Sequence, residues 1–309
     1  MNHISDIRIK DAAPHIFTRP FLFVESNTRM LQIGTFLAIG PQIYVDGLVV
    51  MSEKDKGQSN RPVGRIGCKH IISNLLDSDY PAWLETKASQ IMDNTVVALE
   101  MDSTLSSALE VFDKTRFAFA PIVANRDNER GSSSLVVTAA FAIRDILPLI
   151  AKANITIPIK HISSPLVSVD GNTSITDALC YMIRTGIRNI GINDYASRGK
   201  SKLLRIINDR KILEFLFSHK GREILRENGT AGLGDINIIN HLDIISMARL
   251  KSSTTVSKAA ELLMDIRTPC LISEGNEGEK ETDNYIVTPW DVVMKTLKSE
   301  NMRLVHSCC

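Results

Sequence analysis

One order of strands and helices recurs along this chain, and it constrains the fold more than any other feature of the sequence. The clearest copy spans Ser164 to Phe217. There an apolar strand, Leu166 to Val169, precedes the capping box Ser174-Ile-Thr-Asp177, and apolar residues then recur at helical intervals as far as Gly186. Two apolar strands around a polar loop and a helix from Arg210 to Phe217 complete the copy. The pattern predicts a β-α-β-β-α unit and therefore an α+β fold.

The same order predicts three further copies. The second includes a helix from Thr104 to Asp113, the fourth runs from a strand at Ile244 to Leu250 into a last helix at Pro289, and the first is the most diverged. The glycines from Gly229 to Gly234 predict a flexible joint before the fourth copy. Because a unit of about 60 residues is marginally stable alone, we expect the four units to pair into two bodies. The predicted units are residues 1–84, 85–153, 154–228 and 229–309.

Composition agrees with two globular bodies and narrows the class of partner. The length is 309 residues, and a domain has roughly 150. The 36 Lys and Arg against 35 Asp and Glu leave a net charge of +1, and aromatic residues make up 6% of the chain. A chain without a basic excess or an aromatic surplus is not typical of nucleic-acid binding or of attraction to an anionic membrane.

The sequence predicts a cytoplasmic protein. Residues 1–10 lack the apolar core of a signal peptide, and no apolar stretch approaches the roughly 20 residues that span a bilayer. The five cysteines are scattered without a C-x-x-C pair, which favours reduced thiols; no role is predicted for Cys308 and Cys309. The histidines lack metal-site spacing and no catalytic motif set is present, so we expect neither a metal site nor an enzyme.

The start of the third unit, Ile159-Lys-His-Ile-Ser-Ser-Pro-Leu-Val-Ser-Val-Asp-Gly-Asn-Thr-Ser-Ile-Thr-Asp-Ala-Leu, resembles the start of a CBS domain, the module first described in cystathionine beta-synthase. Residues Ala88 to Leu99 of the second unit are similar to it. The resemblance extends over nearly the whole chain and is weakest in the first unit. It implies tandem pairs, called Bateman modules, that bind adenosine-containing ligands between paired sheets. Four units without a catalytic domain are similar in layout to the gamma subunit of AMP-activated kinase.

The ligand motif of CBS domains is Gly-x-Ile/Val-Thr/Ser-x-x-Asp, and the fourth unit resembles it in Ile286-Val-Thr288-Pro-Trp-Asp291, with Tyr285 in place of the Gly. A hydroxyl at the helix start and a carboxylate in its first turn lie beside N–H groups that favour an anion. The resemblance implies that Asp291 binds the two ribose hydroxyls while phosphate shares the helix start. The same spacing is typical of a capping box with Pro at the first helical position. Both roles are compatible at Thr288.

The other units depart from the motif. The second reads Ala140-Phe-Ala142-Ile-Arg-Asp145, which keeps the carboxylate without the hydroxyl and leaves a second site open, with Arg144 facing phosphate. In the third unit Lys211 stands where the carboxylate is expected, and in the first His70 does. We expect these two residues at the surface or at an interface rather than on a ligand.

The resemblance also implies contacts to the ligand from both the third and fourth units. Apolar strand residues would lie against adenine, and two arginines would clamp phosphate with their bidentate guanidinium groups. The alternatives are that the apolar residues belong to the core and that the arginines are solvated charges. The full set of predicted binding residues is Thr288, Asp291, Ile286, Arg267, Val167, Ile187, Arg188, Asp145 and Arg144.

These features predict a non-enzymatic regulatory protein. Its ligand would be an adenosine compound of the AMP, ADP, ATP or S-adenosylmethionine type, bound between paired CBS units and sensed by an unidentified protein partner. The alternative is a ligand-free interaction scaffold in which the Thr-x-x-Asp motif only caps a helix. Pairing of units through helix faces is compatible with a monomer whose two modules close into a disc and with a homodimer.

Overall fold

A computed structural model describes residues 4–39, 46–53, 61–127, 133–194, 202–238, 248–274 and 284–298. Residues 244–247 of the strand predicted for the fourth unit, and Cys308 and Cys309, lie outside the described residues. The chain starts with an N-terminal segment, residues 4–19, that the sequence did not lead us to expect as structured. Its helices are a 3-10 turn at Ile4–Asp6, α1 (Ile9–Ala12) and a 3-10 turn at Pro14–Phe17.

The first two units follow the predicted order β-α-β-β-α. The first unit consists of β1 (Phe23–Glu25), α2 (Met30–Ile39), β2 (Leu48–Met51), β3 (Pro62–Ile66) and α3 (Cys68–Leu76). Short helices α4 (Ala82–Glu85) and α5 (Ala88–Ile91) lead to the second unit. That unit consists of β4 (Leu99–Glu100), α6 (Leu105–Thr115), β5 (Phe119–Asp127), β6 (Ser133–Ala142), a 3-10 turn at Ile143–Ile146 and α7 (Leu147–Lys152).

The last two units repeat this order. The third has a 3-10 turn at Ile159–His161, β7 (Ser164–Pro165), β8 (Ser168–Asp170), α8 (Ile175–Thr185), β9 (Asn189–Asp194), β10 (Lys202–Asn208), α9 (Asp209–Phe217) and α10 (His219–Asn228). The fourth has a 3-10 helix at Gly229–Leu233, β11 (Arg249–Lys251), α11 (Val256–Leu263), β12 (Leu271–Glu274), β13 (Tyr285–Val287), and a last helix that is π-helical at Asp291–Lys295 and ends as α12 (Thr296–Lys298).

Local sequence signals set the ends of the clearest helix, α8. The Ser174 hydroxyl accepts a hydrogen bond from the backbone N–H of Asp177 at 3.0 Å and donates to its carboxylate at 2.7 Å. The helix ends at Gly186, whose φ of 72° lies in the left-handed region that favours glycine. The glycine stop and the N-cap half of the predicted capping box are confirmed; the Asp177 carboxylate binds the Ser174 hydroxyl in place of the Ser174 N–H.

Two local expectations differ from the structure. The strand predicted at Leu166 to Val169 is shifted to Ser168–Asp170, and an unpredicted strand before it, β7, pairs antiparallel with β13 of the fourth unit through Ser164 and Ile286. The glycine-rich segment forms the 3-10 helix Gly229–Leu233 instead of a flexible joint, because the Leu233 side chain is fully buried in a core cluster. Tertiary packing outweighs the weak helix propensity of glycine there.

In each unit three strands form a small sheet whose first pair is parallel and whose second pair is antiparallel, and β7 adds a fourth strand to the sheet of the fourth unit. The sheets of units 1 and 2 meet through a cluster that includes Val49 and Phe119. Those of units 3 and 4 meet through a cluster that includes Ile206 and Ile272. Consecutive units are therefore paired sheet against sheet.

Helices make the other two contacts between units. One large cluster joins units 1 and 3, where α2 packs against α9, and another joins units 2 and 4, where α7 packs against α11. The approach of α2 to α9 requires Gly34, because a Cβ at this position would lie 1.8 Å from the ring of Phe217. The four units thus close into a ring, with sheet contacts and helix contacts alternating around it.

The packing of α2 in the ring can be tested by substitution. Ile33 is fully buried in the cluster shared by units 1 and 3, whereas Leu31 on the same helix is 38% exposed. Ile33→Ala should lower the free energy of unfolding by about 2–5 kcal/mol, since it leaves a cavity in this cluster. Leu31→Ala should change it by less than about 0.5 kcal/mol. Urea denaturation of both variants checks this, and equal losses would contradict the packing described for α2.

Candidate functional site

A cavity of about 1330 Å³ lies where the four units meet. Each unit contributes the start of the helix that follows its hairpin: Gly67 to His70, Ile143 and Arg144, Asn208 to Lys211, and Thr288 to Asp291. The motif positions of units 1, 3 and 4 are therefore brought to one place, together with Ile143 and Arg144 of unit 2. Of the predicted binding residues, those that line the cavity are Thr288, Asp291, Ile286, Arg267, Val167, Ile187, Arg188 and Arg144.

The Thr288–Asp291 pair closes the start of the last helix. The Thr288 backbone N–H donates to Asp291 Oδ2 at 3.0 Å and its hydroxyl donates to the same oxygen at 2.6 Å. In return, the Asp291 N–H lies 3.3 Å from the Thr288 hydroxyl oxygen. These contacts form the capping box that the spacing predicts. They also hold the carboxylate, 7% exposed, at the cavity wall.

The other carboxylate oxygen of Asp291 is met by donors from two directions. Ser164, carried from the third unit by β7, donates its hydroxyl to Oδ1 at 2.8 Å. The Lys295 ammonium lies 2.9 Å from the same oxygen and also donates to the Ile162 carbonyl at 2.8 Å. The π-helical turn Asp291–Lys295 carries both members of this ion pair. Asp291 therefore connects the fourth unit to the strand that enters the third.

Apolar residues from both paired units line the cavity near this motif. Ile286 is 7% exposed and belongs to the cluster between the sheets of units 3 and 4. Ile187 is half-buried and packs against the cluster of units 1 and 3. Val167 is half-buried at the cavity wall, next to β8. Ile286 and Ile187 thus serve the core and the cavity together, which combines the two interpretations offered by the sequence.

The two arginines of the predicted phosphate clamp both hold carboxylates. Arg188 Nε donates to Asp209 at 2.8 Å, and its Nη1 lies 3.6 Å from Asp46. The Asp209 carboxylate raises the pKa of Arg188 well above its ordinary value. Arg267 forms a two-contact pair with Asp265, at 3.1 and 2.9 Å, and this hydrogen-bonded pairing raises its pKa. Phosphate binding by these side chains stays a prediction and requires each to leave or share its carboxylate.

Arg144 and Asp145 face different surroundings from those expected. Arg144 donates to the carbonyls of Leu263 and Thr268, at 2.5 and 2.9 Å, and so ties the second unit to the end of α11 in the fourth. Asp145 is 5% exposed and is not among the cavity-lining residues. Its carboxylate is held by Arg19 of the N-terminal segment, at 2.7 and 2.8 Å.

Two residues that the sequence analysis set aside as ligands are brought to the cavity by the structure. His70 and Lys211, expected at a surface or interface, both line it. The His70 ring accepts a hydrogen bond from the Gly67 N–H at 3.2 Å and stacks on Phe117, and burial lowers its pKa. Lys211 lies beside Glu214 on α9. The motif alignment placed both residues at the position of Asp291 in their own units, but it did not indicate that this position faces a shared cavity.

Among the residues that the structure describes, no group of three or more His, Cys, Asp or Glu side chains is arranged to hold a metal ion. Within the same ranges, every helix is too short or too polar to cross a bilayer.

Comparison with solved structures identifies the architecture. Protein MJ1225 from Methanocaldococcus jannaschii, described as a candidate archaeal homologue of g-AMPK, aligns with 94% of this chain and 100% of its own, at 18% identity and a TM-score of 0.72. An uncharacterised conserved protein from Pyrococcus horikoshii aligns over the same shares, at 16% identity and a TM-score of 0.54. The chain has the CBS fold. Its four CBS units form two Bateman modules, units 1 with 2 and 3 with 4.

Shorter structures align with half of the chain. One is the CBS domain pair of protein MJ0100 in complex with 5′-methylthioadenosine and S-adenosyl-L-methionine, at 17% identity, 47% of this chain, 97% of that chain and a TM-score of 0.33. No family model and no curated protein sequence matches the chain.

The cavity wall also contains a thiol whose reactivity can be predicted. Burial, reinforced by the Asp209 carboxylate, raises the pKa of Cys68 to about 12, and burial likewise raises the pKa of Cys270. A thiol with so high a pKa is almost entirely protonated at neutral pH and therefore reacts slowly. Iodoacetamide should therefore label the exposed Cys180 well before Cys68 or Cys270 in the native protein, as read by peptide mass spectrometry. Equal labelling after denaturation is the control, and equal labelling without it would contradict the burial of Cys68.

Proposed function

We propose that this chain is a non-enzymatic regulatory protein that binds an adenosine-containing ligand between CBS units 3 and 4. The ligand belongs to the AMP, ADP, ATP or S-adenosylmethionine type. In this proposal Asp291 accepts hydrogen bonds from the two ribose hydroxyls, and Val167, Ile187 and Ile286 contact the adenine ring. The ligand-bound form presents a surface to a protein partner.

One observation carries the proposal: a buried carboxylate at the start of a helix faces a cavity to which both paired units contribute. A carboxylate is acceptor-only when ionised, so it suits a pair of neighbouring hydroxyl donors. The helix start beside it supplies backbone N–H groups and a positive partial charge that favour phosphate. Apolar side chains from the third and fourth units supply the flat contacts that a purine requires.

The structural neighbours support the same class of function. The layout of four CBS units is shared with MJ1225, the protein described as a homologue of g-AMPK, over the whole of that protein. The similarity shows the fold, and the regulatory role of this chain is part of our proposal.

Signalling follows if the ligand stabilises one arrangement of units 3 and 4 over another. Ser164 and Lys295 already donate to Asp291 Oδ1 and tie the entry of the third unit to the fourth. Ribose hydroxyls at Oδ1 would compete with these donors and loosen that tie. A ligand shifts a conformational equilibrium only by its difference in affinity for the two states, and this exchange supplies such a difference.

A second function is favoured by the same contacts. The capping box of Thr288 and Asp291 is complete, and Arg188 and Arg267 already have carboxylate partners. A ligand-free interaction scaffold requires nothing more than these internal contacts. The two functions differ in whether any adenosine compound stabilises the protein.

Calorimetric titration with AMP, ADP, ATP and S-adenosylmethionine tests the proposal. We expect at least one saturable ligand, and Asp291→Asn should weaken it by about 30- to 1000-fold, since charge-assisted hydrogen bonds worth roughly 2–4 kcal/mol are lost. The matched control is Asp113→Asn, which alters a half-exposed carboxylate that does not line the cavity. It should leave the dissociation constant unchanged.

Thermal unfolding provides the check on folding and the test of the alternative. A ligand at 100 times its dissociation constant should add about 2.7 kcal/mol of stability to the wild-type protein. If none of the four compounds raises the melting temperature or releases heat, the scaffold function is supported and ligand binding at Asp291 is refuted.

A further inference from the structure

The second CBS unit keeps a motif carboxylate, Asp145, and that carboxylate is already occupied by the chain itself. Arg19 Nη1 and Nη2 donate to its two oxygens at 2.7 and 2.8 Å, a bidentate pair in which Asp145 is 5% exposed. His15 Nε2 lies 3.1 Å from Oδ1, and the Ala142 N–H donates to Oδ2 at 2.7 Å. As at Asp291, both carboxylate oxygens have donors; the difference is that at Asp145 a single guanidinium holds both of them.

Packing holds Arg19 in place. The N-terminal segment buries Ile4, Ile9 and Ile16 almost completely in the cluster shared by units 2 and 4. Its backbone pairs with the turn before α6: the Ile9 N–H donates to the Ser103 carbonyl at 2.9 Å, and the Leu105 N–H donates to the Ile7 carbonyl at 2.9 Å. Arg19 Nη2 adds a bond to the Ala140 carbonyl at 2.9 Å. Arg19 therefore lies at the end of a segment that packing and backbone hydrogen bonds hold in place.

The other module contains the counterpart of this segment. There the Ile159 N–H donates to the Thr254 carbonyl and the Val256 N–H donates to the Ile157 carbonyl, both at 2.8 Å, which repeats the pairing of Ile9 and Leu105. The N-terminal segment and the segment before the third unit also end at equivalent positions in their modules.

Position and contact show that Arg19 and Ser164 are equivalent. Each stands four residues before a first strand, β1 or β8, and each is followed by proline. Each donates to the motif carboxylate of its module, Arg19 to Asp145 and Ser164 to Asp291. The hydroxyl of Ser164 reaches one oxygen only, and Ser164 and Asp291 line the central cavity. The longer arginine covers both oxygens, and neither Arg19 nor Asp145 is among the lining residues.

An arginine at this position offers the carboxylate the same number of donors as a ribose does. A ribose offers a carboxylate two neighbouring O–H donors, and a guanidinium offers two parallel N–H donors with a full positive charge. Arg19 therefore supplies the contacts that a ribose would make, at no cost of association because it is tethered. A ligand at Asp145 would have to displace Arg19 and break an ion pair whose carboxylate is buried.

We propose that Arg19 is an internal substitute for the ribose and closes the adenosine site of the second unit, so that the residue at this position decides how many ligands the chain binds. The inference rests on the proposed function for the site at Asp291. It predicts one site in the wild-type chain and two when Arg19 is replaced by the residue found at the equivalent position of the other module.

The test is a reciprocal exchange of the two residues. Calorimetry with AMP, ATP and S-adenosylmethionine should give one bound molecule per wild-type chain and two for Arg19→Ser. The second unit has Ala142 where the fourth has Thr288, so the new site should bind about tenfold more weakly. Ser164→Arg should abolish ligand binding to Asp291, because the guanidinium group of the new arginine would bind both oxygens of that carboxylate. Arg8→Ser, at an exposed ion pair of the same N-terminal segment, should leave the count at one.

The outcomes separate this inference from the proposed function. One site in both the wild-type chain and a folded Arg19→Ser variant overturns the inference and leaves the function standing, and two sites in the wild-type chain also overturn the inference. A third outcome is that the wild-type chain binds nothing, Arg19→Ser binds one molecule, and the double variant Arg19→Ser with Asp145→Asn binds none. That outcome supports the inference and overturns the proposed function at Asp291. If Arg19→Ser fails to fold by circular dichroism, Ser164→Arg decides: unchanged ligand affinity there refutes closure by arginine.

Discussion

Each CBS unit has two apolar faces, one on its sheet and one on its helices, and the structure depends on burying both. The sheet of each unit meets its neighbour in the same module, and its helices meet a unit of the other module. Because a different neighbour covers each face, the arrangement is complete only when four units close a ring. The starts of the last helices then meet at its centre, so the cavity belongs to all four units and to none alone.

Carboxylates at these helix starts are buried, and a buried charge is tolerated only when it is paired and hydrogen-bonded. Asp291 has Thr288, Ser164 and Lys295, whereas Asp145 has Arg19 and His15. Helix capping and recognition of a sugar both require an oriented carboxylate with donors nearby. A capping box at this position is therefore compatible with a ligand site, and the decisive property is which donors can be exchanged.

Features encoded within a few residues could be predicted, and contacts across the chain could not. Ser174 with Asp177 and Thr288 with Asp291 are three residues apart, so spacing alone located them. The pair of Arg19 and Asp145 spans 126 residues, and nothing near either residue indicates it. Arg267 is a different case: its partner Asp265 is two residues away, and attention to local pairing would have predicted a held arginine.

The contacts of Lys295 connect the site to the geometry of the second module. Its ammonium donates to the carbonyl of Ile162 and to the Ser164 hydroxyl while it pairs with Asp291, so one charge joins the last helix to the chain entering the third unit. Any hydroxyl that takes Asp291 Oδ1 must leave this ammonium with carbonyl partners or solvent. Binding is then coupled to the contact between β7 and β13, because the same residues make both. Under the proposed function, Lys295 is the side chain through which a ligand at Asp291 would alter the contact between the third and fourth units, and a shorter side chain at this position would weaken that coupling.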